Sequence, residues 1–427
     1  MGVNAVRLRA ATSLGQLAGA ASRSLGRGDG FVIGGRVALA VCPDAFKQLV
    51  GNRRVVFVSA TNGKTTTTRL LAAAVGAAGP VLTNHSGANM PAGLVAALAH
   101  PPAGMPSSAP AVLEADETYL PSLLPATRNS LLVLGNLSRD QLDRVSEVAM
   151  VARRWRKVFA AVQSNSGLSA VANADDPHVV WAANVISDVT WVSVGNAWTA
   201  DSILCPSCGA ILHRLERDWH CDCGFRRPPI AWILDEGALV APDGTRHALV
   251  LALPGVANQA NAAMAIVAAD VLGVPATKAI PALRSVGSVG GRYQTVQLAG
   301  RRVRLLLGKN PAGWAEMFGM LSPAPAPVVI AINARAADGK DPSWLWDVPF
   351  EKLADRFVIA TGERRHDLAV RLLYAGVEHA TVEDPWVSMP AAAGGAGTGG
   401  EPALDAVGTY TAFRELLRRG GGARDAG

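Results

Sequence analysis

An α/β architecture follows from three features of the sequence. Short apolar runs alternate with helical segments, a glycine–lysine–threonine loop sits inside the first such pair, and a cysteine cluster interrupts the rhythm once. Strands that alternate with helices argue parallel sheets covered on both faces. At 427 residues, with 49% hydrophobic and 17% charged side chains, the chain has material for more than one core. The usual scale of about 150 residues per domain suggests two or three. Gly (44) and Pro (26) together stay below the roughly 25–30% of low-complexity chains, which excludes wholesale disorder.

In order along the chain, residues 1 to about 46 read as a helix followed by a glycine-punctuated stretch from Gly26 to Gly35. Arg7 and Arg9 precede an Ala/Leu-rich segment, but Ser13, Gly15, Gln16 and Ser22 break any apolar run. No stretch approaches the roughly 18 apolar residues of a spanning helix, so a surface helix on a cytoplasmic protein is expected. Val55–Ser59 is a β-branched apolar run, followed by a helix from about Thr65 to Ala78. Ala111–Leu113, Leu131–Leu134 and Ala170–Ala172 are further buried strands, with a helix over Val148–Val162. Segment 202–229 interrupts this order as an insertion, and Pro254–Leu272 is a helix entered through Gly255. A second alternating block runs through strand Val303–Leu307, helix Ala312–Leu321 and strands Val328–Ile332 and Phe357–Ala360 to a last helix, Thr409–Arg419, with a loop over Ala391–Gly400. The expected division is 1–46, an N-terminal segment; 47–297, a central domain; and 298–427, a C-terminal α/β domain.

Ala60-Thr-Asn-Gly-Lys-Thr-Thr66 lies directly between a predicted strand and a predicted helix, the context of a phosphate cradle in which backbone N–H groups and a helix N-terminus face the anion. The strict pattern's first glycine is absent. Thr61, Asn62 and Gly63 would wrap the phosphates, Lys64 would reach the outer ones, and a hydroxyl of Thr65 or Thr66 would ligate Mg²⁺. Such a metal also needs carboxylate. Glu114, in Glu114-Ala-Asp116-Glu117 at the C-terminal end of a strand, is the first choice, since ligands of open α/β sheets bind at that edge.

Five cysteines in so long a chain are no disulfide framework, and four fall between Cys205 and Cys223. Cys205-x-x-Cys208 and Cys221-x-Cys223, backed by Gly209 and Gly224, read as a four-thiolate structural Zn²⁺ ribbon, with His213 or His220 able to replace one thiolate. A net charge of +6 suits anionic partners such as nucleotides, phosphorylated substrates or acidic lipid headgroups, without the clustered basicity of a nucleic-acid binder.

The string from Ala60 to Thr67 resembles the signature of the Mur ligases, and further matches follow in family order: Asn136 through Asp143 around Gln141, Asn173-Ala-Asp-Asp-Pro177, Pro254 through Asn261, and Gly291-Arg292. The cysteine insertion, Lys309 through Trp314 and Ala337 through Asp347 resemble the MurT branch, the ligase-like subunit of lipid II isoglutaminyl synthases. This resemblance implies a Mur ligase-like fold with a Rossmann-like C-terminal domain, and ATP and Mg²⁺ held by Lys64, Thr65 and Glu114, with Asn258, Asn261 and Arg292 completing the nucleotide site. It implies ATP-dependent amidation of the D-glutamate α-carboxylate of lipid II through an acyl phosphate, in a heterodimer with a GatD-type glutaminase. Gln141 stands where other Mur ligases carry a metal-binding histidine, and its neutral amide is a poorer metal ligand, which leaves a second metal site open.

A glutaminase site needs a nucleophilic cysteine with a base, and Cys42, the one cysteine outside the cluster, has no such setting. Ammonia therefore has to come from elsewhere. Ammonium must lose a proton to attack, and Asp341, ahead of Asp347, is the expected carboxylate at its entry; Asp338 and Asp341 also suit plain turn caps before Trp344–Trp346. Two other readings compete: a ligase that adds an amino acid itself, and an ATPase whose ribbon binds nucleic acid through Arg226 and Arg227.

Overall fold

The computed structural model describes residues 3–26, 30–84, 87–140, 148–195, 198–287, 293–388 and 404–421. They form two compact units, one of residues 1–138 and 146–287, the other of residues 139–145 and 288–425.

The first unit opens on three helices, α1 (Val3–Ser24), α2 (Phe31–Val41) and α3 (Ala45–Val50). Strands and helices then alternate: β1 (Val55–Ser59), α4 (Lys64–Gly76), β2 (Leu82–Thr83), α5 (Pro91–Ala99), β3 (Ala111–Glu114), α6 (Leu120–Leu123), β4 (Leu131–Leu134), α7 (Val148–Ser166), β5 (Ser169–Asn173), α8 (Pro177–Ala183) and β6 (Asp188–Ser193). A two-stranded ribbon of β7 (His213–Leu215) and β8 (Asp218–His220) precedes β9 (Trp232–Asp235), β10 (Ala238–Val240) and β11 (Arg246–Ala248). Helices α9 (Val256–Val271) and α10 (Ala276–Leu283) complete the unit.

Its nine-stranded sheet has the order β11-β10-β9-β6-β5-β4-β1-β3-β2, parallel from β2 through β9, with β10 and β11 added antiparallel. Strand β1 sits between β3 and β4, with Val58 opposite Glu114 and Ser59 opposite Leu134. Every residue of β1, β3 and β4 is buried, as a sheet covered on both faces requires. Phe57, Trp155 and Phe159 are the largest side chains of that interior. Of the stretch from Gly26 to Gly35, residues 31–35 form the start of α2, Gly30 caps it, and residues 27–29 lie outside the described residues. The glycines of α2 serve close packing, since a β-carbon on Gly34 would lie 2.8 Å from the Gly15 carbonyl oxygen, and one on Gly35 would strike the Ala92 carbonyl.

The second unit contains β12 (Tyr293–Leu298), β13 (Arg301–Leu307), α11 (Pro311–Phe318), β14 (Val328–Ala331), β15 (Val358–Thr361), α12 (Arg365–Tyr374), β16 (His379–Thr381), α13 (Pro385–Ser388), β17 (Leu404–Gly408) and α14 (Tyr410–Arg419). The sheet order is β12-β13-β17-β14-β15-β16, with β12 antiparallel and the rest parallel. Trp314, Phe318, Trp344 and Phe350 pack as one aromatic cluster in its core. Residues Trp344–Trp346 lie in a 3₁₀ turn, Pro342–Asp347, rather than an α-helix. The expected loop over 391–400 lies outside the described residues. Among the described residues, no helix is long and apolar enough to cross a membrane.

Candidate active site

The loop after β1 is braced from the side by the chain leaving β4. The Thr61 amide donates to the Asn136 carbonyl at 2.8 Å, and the Ser138 amide donates to the Thr61 hydroxyl at 3.0 Å. Asn136 holds Asn62 from both ends, its Oδ1 accepting the Asn62 amide and its Nδ2 donating to the Asn62 carbonyl, each at 3.0 Å. The Asn62 side chain donates to the Ser138 hydroxyl at 3.1 Å. Thr61 and Asn62 thus spend their side chains on holding the loop's shape. Gly63 has φ 80° and admits no side chain, because a β-carbon there would strike Asn261 Oδ1. Asn261 also accepts from the Thr67 hydroxyl at 3.2 Å, which fixes α9 to the first turn of α4. Thr65 is half-buried and Thr66 buried in that turn. Asn258, one turn earlier on α9, donates to the Pro254 carbonyl at 2.6 Å.

Lys64 is 5% exposed, and its ammonium donates to Glu117 Oε2 at 2.7 Å and to the Thr61 carbonyl at 3.2 Å. Burial pulls such an ammonium down, but the Glu117 carboxylate, helped by Asp116 and Glu114, outweighs it and holds Lys64 above its ordinary value. The cation therefore stays charged where a phosphate would meet it. Glu114 ends β3. Its amide donates to Asn84 Oδ1 at 2.8 Å, and its carboxylate accepts from Asn89 Nδ2 at 2.9 Å. The carboxylate is thus aimed by neighbours and lies at the sheet edge beside the loop. A small cavity of about 40 Å³ opens here, lined by Ser59, Asn62, Thr67, Asn136, Asn173 and Asn261.

The structure brings Thr61, Asn62, Gly63, Lys64, Thr65, Thr66, Glu114 and Asn261 into one site. Arg292 and Gln141 lie outside the described residues. Glu117 was the missed member. It was visible in the string Glu114-Ala-Asp116-Glu117, but nothing in the spacing says which acid meets the lysine. Asn84, Asn89 and Asn136 carried no sequence signal as bracing groups. Replacing Glu117 by glutamine should lower the stability of the nucleotide-free protein by about 3–5 kcal/mol, because the buried Lys64 loses its paired carboxylate. The same change removes the phosphate's competitor. The rise in melting temperature on adding Mg²⁺–ATP should therefore exceed that of the wild type; an equal or smaller rise would show that Glu117 does not compete.

In the second unit, the three acids of the Ala337–Asp347 stretch have separate surroundings. Asp338 is buried and accepts from the Thr411 amide at 2.7 Å and from the Thr411 hydroxyl, so it anchors α14. Asp341 is exposed and caps the 3₁₀ turn, its Oδ1 accepting the Ser343 amide at 2.8 Å. Asp347 pairs with Arg139 at 3.2 Å. Lys309, at the end of β13, pairs with Asp140 at 2.6 Å.

The four cysteine sulfurs lie within 4.8 Å of one another, with Cys205–Cys223 at 3.8 Å and Cys208–Cys221 at 3.5 Å. Tetrahedral Zn²⁺ with bonds of about 2.3 Å separates its sulfurs by about 3.8 Å, so the cluster fits that ion. Gly209 (φ 82°) and Gly224 (φ 89°) supply the left-handed turns behind the two knuckles. His213 and His220 stack on each other at 5.1 Å, and His213 pairs with Asp222 at 3.3 Å. Arg227 is drawn inward: its Nε donates to Asp175 at 2.9 Å and its Nη2 to Ser193 at 2.7 Å, so it is no phosphate contact.

The Mur ligase middle domain family matches residues 58–269, and the MurT ligase C-terminal family matches residues 307–413. The lipid II isoglutaminyl synthase (glutamine-hydrolyzing) subunit MurT of Staphylococcus aureus strain N315 is 31% identical over 393 residues, covering 86% of this chain and 88% of that one. Its counterpart from Streptococcus pneumoniae strain ATCC BAA-255 / R6 is 30% identical, covering 86% and 87%. Among solved structures, a pseudomurein peptide ligase type C from Methanothermus fervidus superposes with TM-score 0.59 at 18% identity, over 86% of this chain and 79% of that one. Mycobacterium tuberculosis folylpolyglutamate synthase superposes with TM-score 0.57 at 15% identity, over 91% and 94%. A braced phosphate loop on the central strand of this sheet, followed by a second α/β unit, defines an ATP-dependent ligase of the Mur type. Those solved structures share the fold alone, whereas the two bacterial subunits are 31% and 30% identical over 86% of this chain. The chain belongs to the MurT family.

Proposed function

We propose that the chain amidates the D-glutamate α-carboxylate of lipid II to D-isoglutamine in the cytoplasm, with ATP and ammonia from a GatD-type glutaminase subunit. The carboxylate oxygen attacks the γ-phosphorus of ATP and ADP leaves. Ammonia then attacks the acyl carbon, phosphate leaves, and the nitrogen gives up a proton. The observation that carries this reading is the buried, charged Lys64 at the tip of a loop whose shape is fixed from β4 and α9.

Each residue's part follows from its surroundings. Gly63 and the first turn of α4 offer N–H groups to the phosphates, and Lys64 offsets charge on the transferring group. Glu114 and the hydroxyl of Thr65 or Thr66 would hold Mg²⁺, which neutralises phosphate charge and aligns the oxygens. Asn261 keeps α9 against the loop, and Asn258 and Arg292 complete the nucleotide site. Cys205, Cys208, Cys221 and Cys223 would hold a structural Zn²⁺.

For the ammonia step, Asp341 is favoured over Asp338, which is used up inside the fold, and over Asp347, which Arg139 neutralises. Asp341→Asn should reduce amide formation about 10²-fold with glutamine and with free ammonium, and leave ATP binding unchanged. Unaltered rates would remove the role. The reading as a whole is tested by product mass after incubating the chain and its glutaminase partner with ATP, Mg²⁺, glutamine and a lipid II analogue. Conversion of acid to amide is expected; addition of a whole amino acid, or no ATP-dependent product, would overturn it.

A further inference from the structure

The first helical hairpin is built the wrong way round for a helix that only supports a core. Gly15 and Gly19 of α1 meet Gly34 and Gly30 backbone to backbone: a β-carbon on Gly15 would lie 2.6 Å from the Gly34 carbonyl oxygen, and one on Gly19 2.9 Å from that of Gly30. Ala11, Ser22 and Ala38 are the buried side chains beside that seam. A seam this close admits only small residues, so the large aliphatic side chains of α1 are left on its outer face. Val6 is 54% exposed, Leu14 47% and Leu17 67%, and Leu25, just past the helix end, is 69% exposed. Positions 6, 10, 14, 17 and 21 fall on one stripe of a helix with 3.6 residues per turn, with Ala10 and Ala21 filling it between the larger residues.

The charge around the stripe has one sign. Arg7, Arg9 and Arg23 lie on α1, Arg27 follows it, and the first acidic residue of the whole chain is Asp29. Arg23 turns towards Gly19 in the seam, but an apolar stripe flanked by Arg7 and Arg9 matches the boundary of an anionic bilayer, where aliphatic groups enter the acyl region and guanidinium groups meet phosphate. A second copy of this face would bring the same cations together.

We propose that α1 docks the enzyme on an anionic phospholipid surface, with Val6, Leu14, Leu17 and Leu25 entering the interface. This rests on the proposed function for its purpose, since a lipid-linked substrate is confined to a membrane, but the docking is measured without substrate. The full-length chain is mixed with vesicles of phosphatidylglycerol and phosphatidylcholine, or of phosphatidylcholine alone, and floated on a density gradient. Flotation with the anionic vesicles only, falling as salt is raised, is expected. The double variant Leu14→Ser/Leu17→Ser should lower the bound fraction about tenfold, and Arg9→Glu/Arg23→Glu should abolish the preference for anionic lipid. Both should keep the wild-type melting temperature and ATP binding. Wild-type protein that stays at the bottom of the gradient overturns the proposal, as does equal flotation of the leucine variant. So does a wild-type dimer that the serine changes dissociate while no vesicle binding is seen. A chain that floats but forms no amide would sink the proposed function and leave docking intact. One that amidates a soluble short-chain substrate but never floats would do the reverse.

Discussion

Exchanging Lys64 for methionine is expected to lower ATP-dependent amide formation by about 10³-fold, as loss of a preorganised charge at a transferring phosphoryl group typically does. Methionine keeps the length and packing of the stem but removes the ammonium that Glu117 and the loop carbonyls hold in place. The variant also leaves Glu117 buried without its partner, so part of the loss would come from destabilisation rather than from catalysis. The double variant Lys64→Met/Glu117→Gln separates the two effects. It should regain most of the lost melting temperature, because removing both members of a buried pair costs far less than removing one, yet remain as inactive as the single variant. Product formation followed by mass spectrometry, alongside thermal melts, checks both halves. A single variant within tenfold of wild type would show that the phosphates are held some other way.

The second large effect is expected at the cysteine cluster. Undamaged protein should carry about one zinc per chain. Stripping it with a chelator, or replacing Cys221 by serine, should unfold the ribbon. Metal-binding free energy on the order of 10 kcal/mol in small zinc domains has little to replace it here, because the buried ribbon residues Cys205, Leu212, Trp219 and Cys221 form only a small cluster against Val180 of α8. Trp219 reports the change, since it is buried and donates to the Ala174 carbonyl at 3.1 Å. Its fluorescence should shift towards that of exposed indole, and limited proteolysis should begin between residues 204 and 226. Elemental analysis well under one zinc per chain, or an unchanged cleavage pattern after Cys221→Ser, would overturn this assignment.

The two parallel sheets were legible because their central strands are continuous apolar runs. Val55–Ser59 and Leu131–Leu134 coincide with β1 and β4, since nothing in an all-buried strand competes with its periodicity. Strands β9, β10 and β11 gave no such signal. They are three or four residues long with one face exposed, so hydrophobicity hardly marks them. Gly34 and Gly35 show why glycine is ambiguous in a sequence: the same residue that breaks a helix also lets two helices touch, and only the partner helix decides which. At the site, the loop and Glu114 could be found because backbone geometry demands glycine and a strand end offers the acid. The pairing of Lys64 with Glu117, and the grip of Asn136 on Asn62, depend on the segments that follow β1, β3 and β4 meeting at one sheet edge, which spacing along the chain does not encode.

The ribbon also has an architectural part. Strands β6 and β9 run side by side in the same direction, Val192 opposite Trp232, and a chain that must return to start a parallel neighbour needs a long connection, ordinarily a helix. Here the segment holding the four thiols makes that return journey. Its integrity therefore governs how firmly the outermost three strands, β9 to β11, are moored, so an oxidant that consumed the sulfurs would fray the sheet from that flank inward while the half built around β1 stayed whole.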